Sequence, residues 1–143
     1  MATIYQTAEL DVPADVAWEW LDRYTRSECH FFDACTDERQ EGDYRVVTTI
    51  DGREIWELNV AVDPAHRRAS YTIPGLSGST HHHASMQVFD DGDDTSTLVW
   101  VVDMVPDDVI DDEARRRYRE LLDDMVKVVN SPPPSSRARA AAR

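Results

Sequence analysis

The chain of 143 residues is the length of one ordinary domain, large enough to bury a core. Its hydrophobic content of 41% argues against wholesale disorder, and its net charge of −13 disfavours nucleic acid and anionic membrane as partners. No charged-then-apolar leader opens it and no apolar run reaches membrane length, which predicts a cytoplasmic protein. Lys127 is the only lysine, so arginine carries nearly all the positive charge; a GC-rich or a salt-adapted genome would each produce that bias.

Thr3 to Asp11 alternates apolar and polar residues and predicts a first strand. Pro13 opens a helix that carries Val16, Ala17, Trp18, Trp20 and Leu21 to about Tyr24, with Trp18 expected in the core. Ser27 to Ala34 reads as a second short helix holding His30, Phe31 and Phe32. Cys29 and Cys35 form no C-x-x-C spacing and are expected as reduced thiols, with no disulfide and no metal.

Strands follow over 36–40 and 44–50, and Asp51-Gly52 is a strong hairpin signal before the strand 54–62. Further strands span 68–73, 82–90 and 97–105, with a small-residue loop from Gly75 to Thr80 that could act as a lid or simply connect. The last helix runs from Asp107 to Asn130. Its apolar face carries Ile110, Ala114, Tyr118, Leu121, Leu122, Met125, Val128 and Val129 at three- and four-residue steps. Asn130 and the prolines beyond it end the helix, and residues 131–143, rich in Pro, Ser and Arg, read as a disordered tail.

Strand, two helices, six strands and a long helix predict one α+β domain over residues 1–130. This order resembles the START-related, Bet v 1-like helix-grip superfamily, also called SRPBCC, in its polyketide cyclase/dehydratase-like branch. The matching pieces are Ala14 to Trp18 opening the first helix, Glu57 with Val62-Asp63-Pro64, His81 to Ser85, and Trp100, Asp103 and Pro106 before the last helix. The resemblance implies a curved seven-stranded antiparallel sheet gripping the C-terminal helix, with a cavity for hydrophobic or aromatic molecules between them. Relatives include polyketide cyclases, hormone receptors, lipid-transfer domains and a chaperone activator, so the fold alone does not select an activity.

Alternation leaves two choices for the inward face. Burial favours the face bearing Trp56 and Leu58, with Trp100 on the last strand. The resemblance favours the other, because the hormone receptors turn the residue matching Glu57 into their cavity. The inward set it implies is Glu57, Asn59, Tyr71, His83, Ser85, Gln87, Val99, Val101 and Asp103. Tyr118, Leu122 and Met125 then face the cavity from the helix, and Phe31 and Phe32 lie where relatives close its mouth, either lining it or packing as ordinary core. The same choice leaves Trp56, Leu58, Met86 and Trp100 on the convex side, a patch that predicts a homodimer.

Three histidines in a row, His81 to His83, invite a metal reading, but a strand puts only two on one face and a third ligand is needed. The alternative is a solvated histidine beside one that hydrogen-bonds in the pocket. A sharper reading makes His83, Glu57 and Asp103 an acid–base group, with His83 moving the proton and Tyr71 and Ser85 positioning the substrate. Asp103 could instead cap a loop or pair with Arg45. The expected function is uptake of a hydrophobic or aromatic small molecule, with cofactor-free cyclase or dehydratase chemistry. A non-catalytic carrier or sensor, and a chaperone-activating or interaction module, are the alternatives.

Overall fold

The computed structural model describes residues 2–133. Seven strands form one sheet: β1 (Ala2–Leu10), β2 (Cys35–Glu41), β3 (Tyr44–Thr49), β4 (Glu54–Asp63), β5 (Arg68–Thr72), β6 (His81–Gly92) and β7 (Thr95–Val105). Their order is β1-β7-β6-β5-β4-β3-β2, every neighbouring pair antiparallel. The helices are α1 (Ala14–Thr25) and α2 (Asp112–Val129). This is the helix-grip α+β arrangement, with the long helix held on the concave side of the sheet. The expected disordered tail lies, from residue 134 onward, outside the described residues.

Helix α1 buries Ala14, Ala17, Trp20, Leu21 and Tyr24, one stripe at helical spacing. Trp20 takes the core position and Trp18 is only partly buried, the reverse of the sequence expectation. The second short helix does not form. Ser27 adopts a left-handed φ of 58° and its N–H returns to Tyr24 O, which closes α1. The irregular segment that follows buries both Phe31 and Phe32 against Tyr24, at ring-centroid distances of 4.3 and 6.0 Å.

Helix α2 begins later than its periodicity suggested. Asp107–Val109 forms a single 3-10 turn, Ile110 is buried, and Asp111 caps the helix by accepting from Ala114 N at 2.8 Å. Three contacts tie α2 to the β1 side of the domain. Gln6 Nε2 donates to Tyr118 O at 3.1 Å, Arg115 Nη1 to Thr3 O at 3.1 Å, and Asp11 N to Asn130 Oδ1 at 2.8 Å.

Cross-strand pairs point to the same side of a sheet, so register decides which residues share a face. Asn59 pairs with Tyr71, Tyr71 with Ala84, and Ala84 with Val102. Glu57, Asn59 and Tyr71 therefore face the concave side together with His82, Ala84 and Met86, and with Trp100, Val102 and Met104. His83, Ser85, Gln87, Val99, Val101 and Asp103 lie on the convex side. The inward set expected from the sequence mixes the two faces, because its step from β5 to β6 is one residue out of register. The expected dimer patch divides in the same way: Trp56 is 41% exposed and Leu58 half-buried, while Met86 and Trp100 are core residues.

Candidate functional site

Because α2 is tied to the β1 side, it stands away from β3, β4 and β5, and a cleft of about 990 Å³ opens between helix and sheet. Val47 of β3, Ile55 and Glu57 of β4, Tyr71 of β5 and Trp100 and Met104 of β7 form its floor. Tyr24 and Phe32 close one side, and Tyr118 and Leu121 of α2 form the roof. Asp108, Asp111, Glu113 and Glu120 line it on the helix side, and Leu76 and Ser77 of the small-residue loop face them across the mouth. An apolar, aromatic space with a few polar groups is what small-molecule sites look like.

Glu57 is the carboxylate of this floor, only 8% exposed. The β3–β4 register sets it opposite Arg45, which is 1% exposed. Arg45 donates from Nη1 to Glu57 Oε2 at 3.3 Å and from Nε to Tyr24 O at 3.0 Å, and its Nη2 lies 3.6 Å from Glu38 Oε1. Its guanidinium carbon sits 3.6 Å from the centroid of the Tyr24 ring, a cation–π contact. Tyr24 donates its hydroxyl to the same Glu57 oxygen at 3.3 Å and stacks on Phe31. Beyond them, His30 Nδ1 hydrogen-bonds Glu38.

Burial pushes the Glu57 carboxyl above its ordinary value, against the opposing pull of Arg45 and the Tyr24 hydrogen bond. Burial also raises Tyr24 and Tyr71 well above 10, and pushes Tyr118 up to about 12. These phenols stay protonated and are donors at neutral pH. Cys35, in the cleft wall, is raised to about 11 and Cys29 to about 12, both chiefly by burial, so neither thiol ionises readily as a nucleophile. Of the histidine triplet, His82 is the one that faces inward. Its Nδ1 accepts from Ile73 N at 3.0 Å, and burial lowers its pKa to about 4.

Of the residues expected at the site, Glu57, Tyr71 and Tyr118 line the cleft. Asn59 shares their face but donates its side chain to Thr25 O at 2.8 Å. Phe31 and Met125 are buried in the core, and Leu122 packs against that core half-buried. His83 and Asp103 are cross-strand partners, but on the convex side, apart from Glu57. Asp103 accepts from Thr3 Oγ1 at 2.6 Å rather than from Arg45. Ser85 and Val101 pair with each other on that convex face, where Gln87 donates to His66 O at 3.2 Å. Sequence reasoning missed Tyr24, Arg45 and His82 as inward groups; Phe32 was one of two candidates for the mouth, and Trp100 lies on the face that burial favoured over the resemblance. Among the described residues, no group of three or more His, Cys, Asp or Glu side chains is placed to hold a metal ion.

Residues 1–130 match the family model described as polyketide cyclase / dehydrase and lipid transport. The chain belongs to that family. No curated protein matches it in sequence. Among solved structures, this polyketide cyclase/dehydrase family member is similar to XoxI of Bacillus cereus, at 20% identity and a TM-score of 0.77, covering 91% of this chain and 94% of that one. It is similar to a point mutant of norcoclaurine synthase from Thalictrum flavum in complex with a transition-state analogue. That match has 17% identity and a TM-score of 0.68, covering 90% of this chain and 93% of that one. A third is the di-domain ARO/CYC BexL of the BE-7585A biosynthetic pathway, at 14% identity and a TM-score of 0.72, covering 92% of this chain and 48% of that one. At such identities the likeness is one of fold. No helix among the described residues is long and apolar enough to cross a membrane.

Proposed function

We propose that the cleft takes up a hydrophobic or aromatic small molecule and that Glu57 moves a proton on it. The observation that carries this reading is a buried carboxylate, raised in pKa, on the floor of an open cleft walled by Tyr24, Phe32, Tyr71, Trp100 and Tyr118. Desolvation makes Glu57 a stronger base than an exposed carboxylate, and Arg45 keeps a counter-charge beside it. The chemistry that suits it is cyclase or dehydratase chemistry on a poly-ketone. Glu57 takes the acidic hydrogen from a carbon flanked by carbonyls, and the electron pair passes into the enolate oxygen. The carboxylic acid so formed returns the proton, either to carbon or to a hydroxyl that departs as water. Nothing is oxidised or reduced in these steps. The family model and the BexL and norcoclaurine synthase folds support the reading.

The second reading, a carrier or sensor without turnover, is favoured by the Arg45 ion pair, which opposes the basicity that burial confers. An interaction module has less support, because its interior has no need of an open aromatic cleft. Hydrogen–deuterium exchange at the α-carbon of ethyl benzoylacetate, followed by NMR in D2O, separates the first two. The catalytic reading predicts exchange faster than buffer alone, with that acceleration reduced by about 10²-fold in Glu57→Gln, the scale of one positioned general base. Binding of the ester with exchange at the buffer rate in the wild type assigns the cleft to a carrier.

A further inference from the structure

We infer that Trp100 fixes the direction of the Tyr71 hydroxyl, so that its phenolic hydrogen is presented to a carbonyl oxygen of the cleft's ligand. This rests on the reading of the cleft as a site for an aromatic ketone and adds to it the group that holds the ketone or enolate oxygen. Trp100 Nε1 donates to Tyr71 Oη at 3.1 Å, between residues 2% and 7% exposed. Tyr71 is on β5 and Trp100 on β7, and β6 runs between them. The rings meet because the concave residue paired with Tyr71 on β6 is Ala84, too small to separate them.

An indole N–H can only donate, so in this bond the phenol oxygen is the acceptor. The hydroxyl's own hydrogen must then point elsewhere, and among the described residues no side chain or carbonyl accepts it. On the same floor, Glu57 Oε2 already receives Tyr24 and Arg45. Both rings are held. The indole packs against Phe32 at 6.1 Å and Tyr118 at 5.3 Å, and the phenol against His82 at 5.9 Å. Tyr71 lines the cleft, so the unspent hydrogen is available to the ligand. A buried donor without an acceptor is costly, and a carbonyl oxygen removes that cost. The same hydrogen bond strengthens when Glu57 withdraws a proton and the oxygen becomes an enolate. Trp100 acts through Tyr71 and is a positioning residue; Tyr71 is the group that touches the ligand.

The test uses 2-acetylnaphthalene labelled with carbon-13 at the carbonyl, and 2-ethylnaphthalene as the matched hydrocarbon, titrated into the wild type, Tyr71→Phe and Trp100→Phe. The inference predicts a carbonyl resonance downfield in the wild-type complex relative to the Tyr71→Phe complex. It also predicts a loss of roughly fivefold in ketone affinity in Tyr71→Phe, the scale of one net hydrogen bond, with hydrocarbon affinity unchanged. Trp100→Phe keeps the hydroxyl but frees it to rotate, and gives an intermediate resonance. In the wild type alone, the Cζ resonance of Tyr71 moves with the ketone and not with the hydrocarbon, a readout independent of how the variants fold. Identical carbonyl resonances in the wild type and Tyr71→Phe overturn the inference while leaving the cleft reading intact. A Trp100→Phe complex indistinguishable from wild type overturns the positioning role. Failure of the wild type to bind either probe overturns the cleft reading itself.

Discussion

Arg45 and Glu57 face each other across the β3–β4 hairpin with Nη1 3.3 Å from Oε2, both nearly sealed from solvent. The pair sets the electrostatics of the cleft floor, and its two halves respond unequally to removal. Arg45→Met leaves a buried carboxylate without its counter-charge and is predicted to cost about 3–5 kcal/mol in urea unfolding. The double variant Arg45→Met with Glu57→Leu is predicted to recover part of that loss, because no orphaned charge remains. Equal losses in the single and double variants contradict the account.

The raised pKa of Glu57 has a definite sign in stability. A group that binds its proton more tightly when folded adds stability that is fully present below its unfolded value of 4.5 and disappears as pH rises through the folded value. Glu57→Gln abolishes that titration. Its stability relative to wild type is therefore predicted to improve from pH 4 upward until the folded pKa is passed, as read by denaturant melts at a series of pH values. A difference that stays flat or runs the other way contradicts the burial assigned to this carboxyl.

His82 titrates in the opposite sense. With its folded value near 4 against an ordinary 6.5, the unfolded chain holds the extra proton between those limits. The stability it contributes is present above pH 6.5 and lost as pH falls through about 4. His82→Asn, which keeps an acceptor near Ile73 N, is predicted to flatten the acid limb of the stability curve over that window. An unchanged limb means that His82 charges freely in the folded state.

His83→Ala and Asp103→Ala are predicted to leave aromatic-probe affinity unchanged, since both side chains lie on the convex face. Asp103→Ala removes the Thr3 hydrogen bond at the surface and is expected to shift stability by only about 0.5 kcal/mol. A large affinity loss in either variant would place the ligand on the other side of the sheet.

The contrast between these histidines shows how far the sequence could be read. Alternation told that His81 and His83 share a side and His82 faces away, but not which side is concave. That depends on inter-strand register, and the β5–β6 connection, with its 3-10 turn at Leu76–Gly78, carries no short hairpin signal to set it. The β3–β4 hairpin does carry one. Asp51-Gly52 locates the turn, but a two-residue turn there would set Arg45 opposite Leu58; the loop instead spans residues 50–52, with Thr49 N bonded to Arg53 O, and that one-residue difference sets Arg45 opposite Glu57. Glu57 itself was assigned inward from family resemblance, against the preference of Trp56 for burial. The exposed Trp56 packs on Tyr44 at 5.5 Å and beneath Arg39, which gives its ring partners on the convex surface. The second short helix was expected from composition, and it fails because a left-handed Ser27 and two buried phenylalanines need a different backbone path.

Titration of N-phenyl-1-naphthylamine, a neutral aromatic dye, into the wild type and into Leu121→Trp tests the central claim most directly. Leu121 is in the cleft roof and only half-buried, so a larger ring can occupy the space at little expense to the fold. A guest space between sheet and helix predicts saturable one-to-one binding in the wild type, and at least a tenfold loss in a variant that still unfolds cooperatively. Equal affinity in both proteins, or no saturable binding in the wild type, contradicts it.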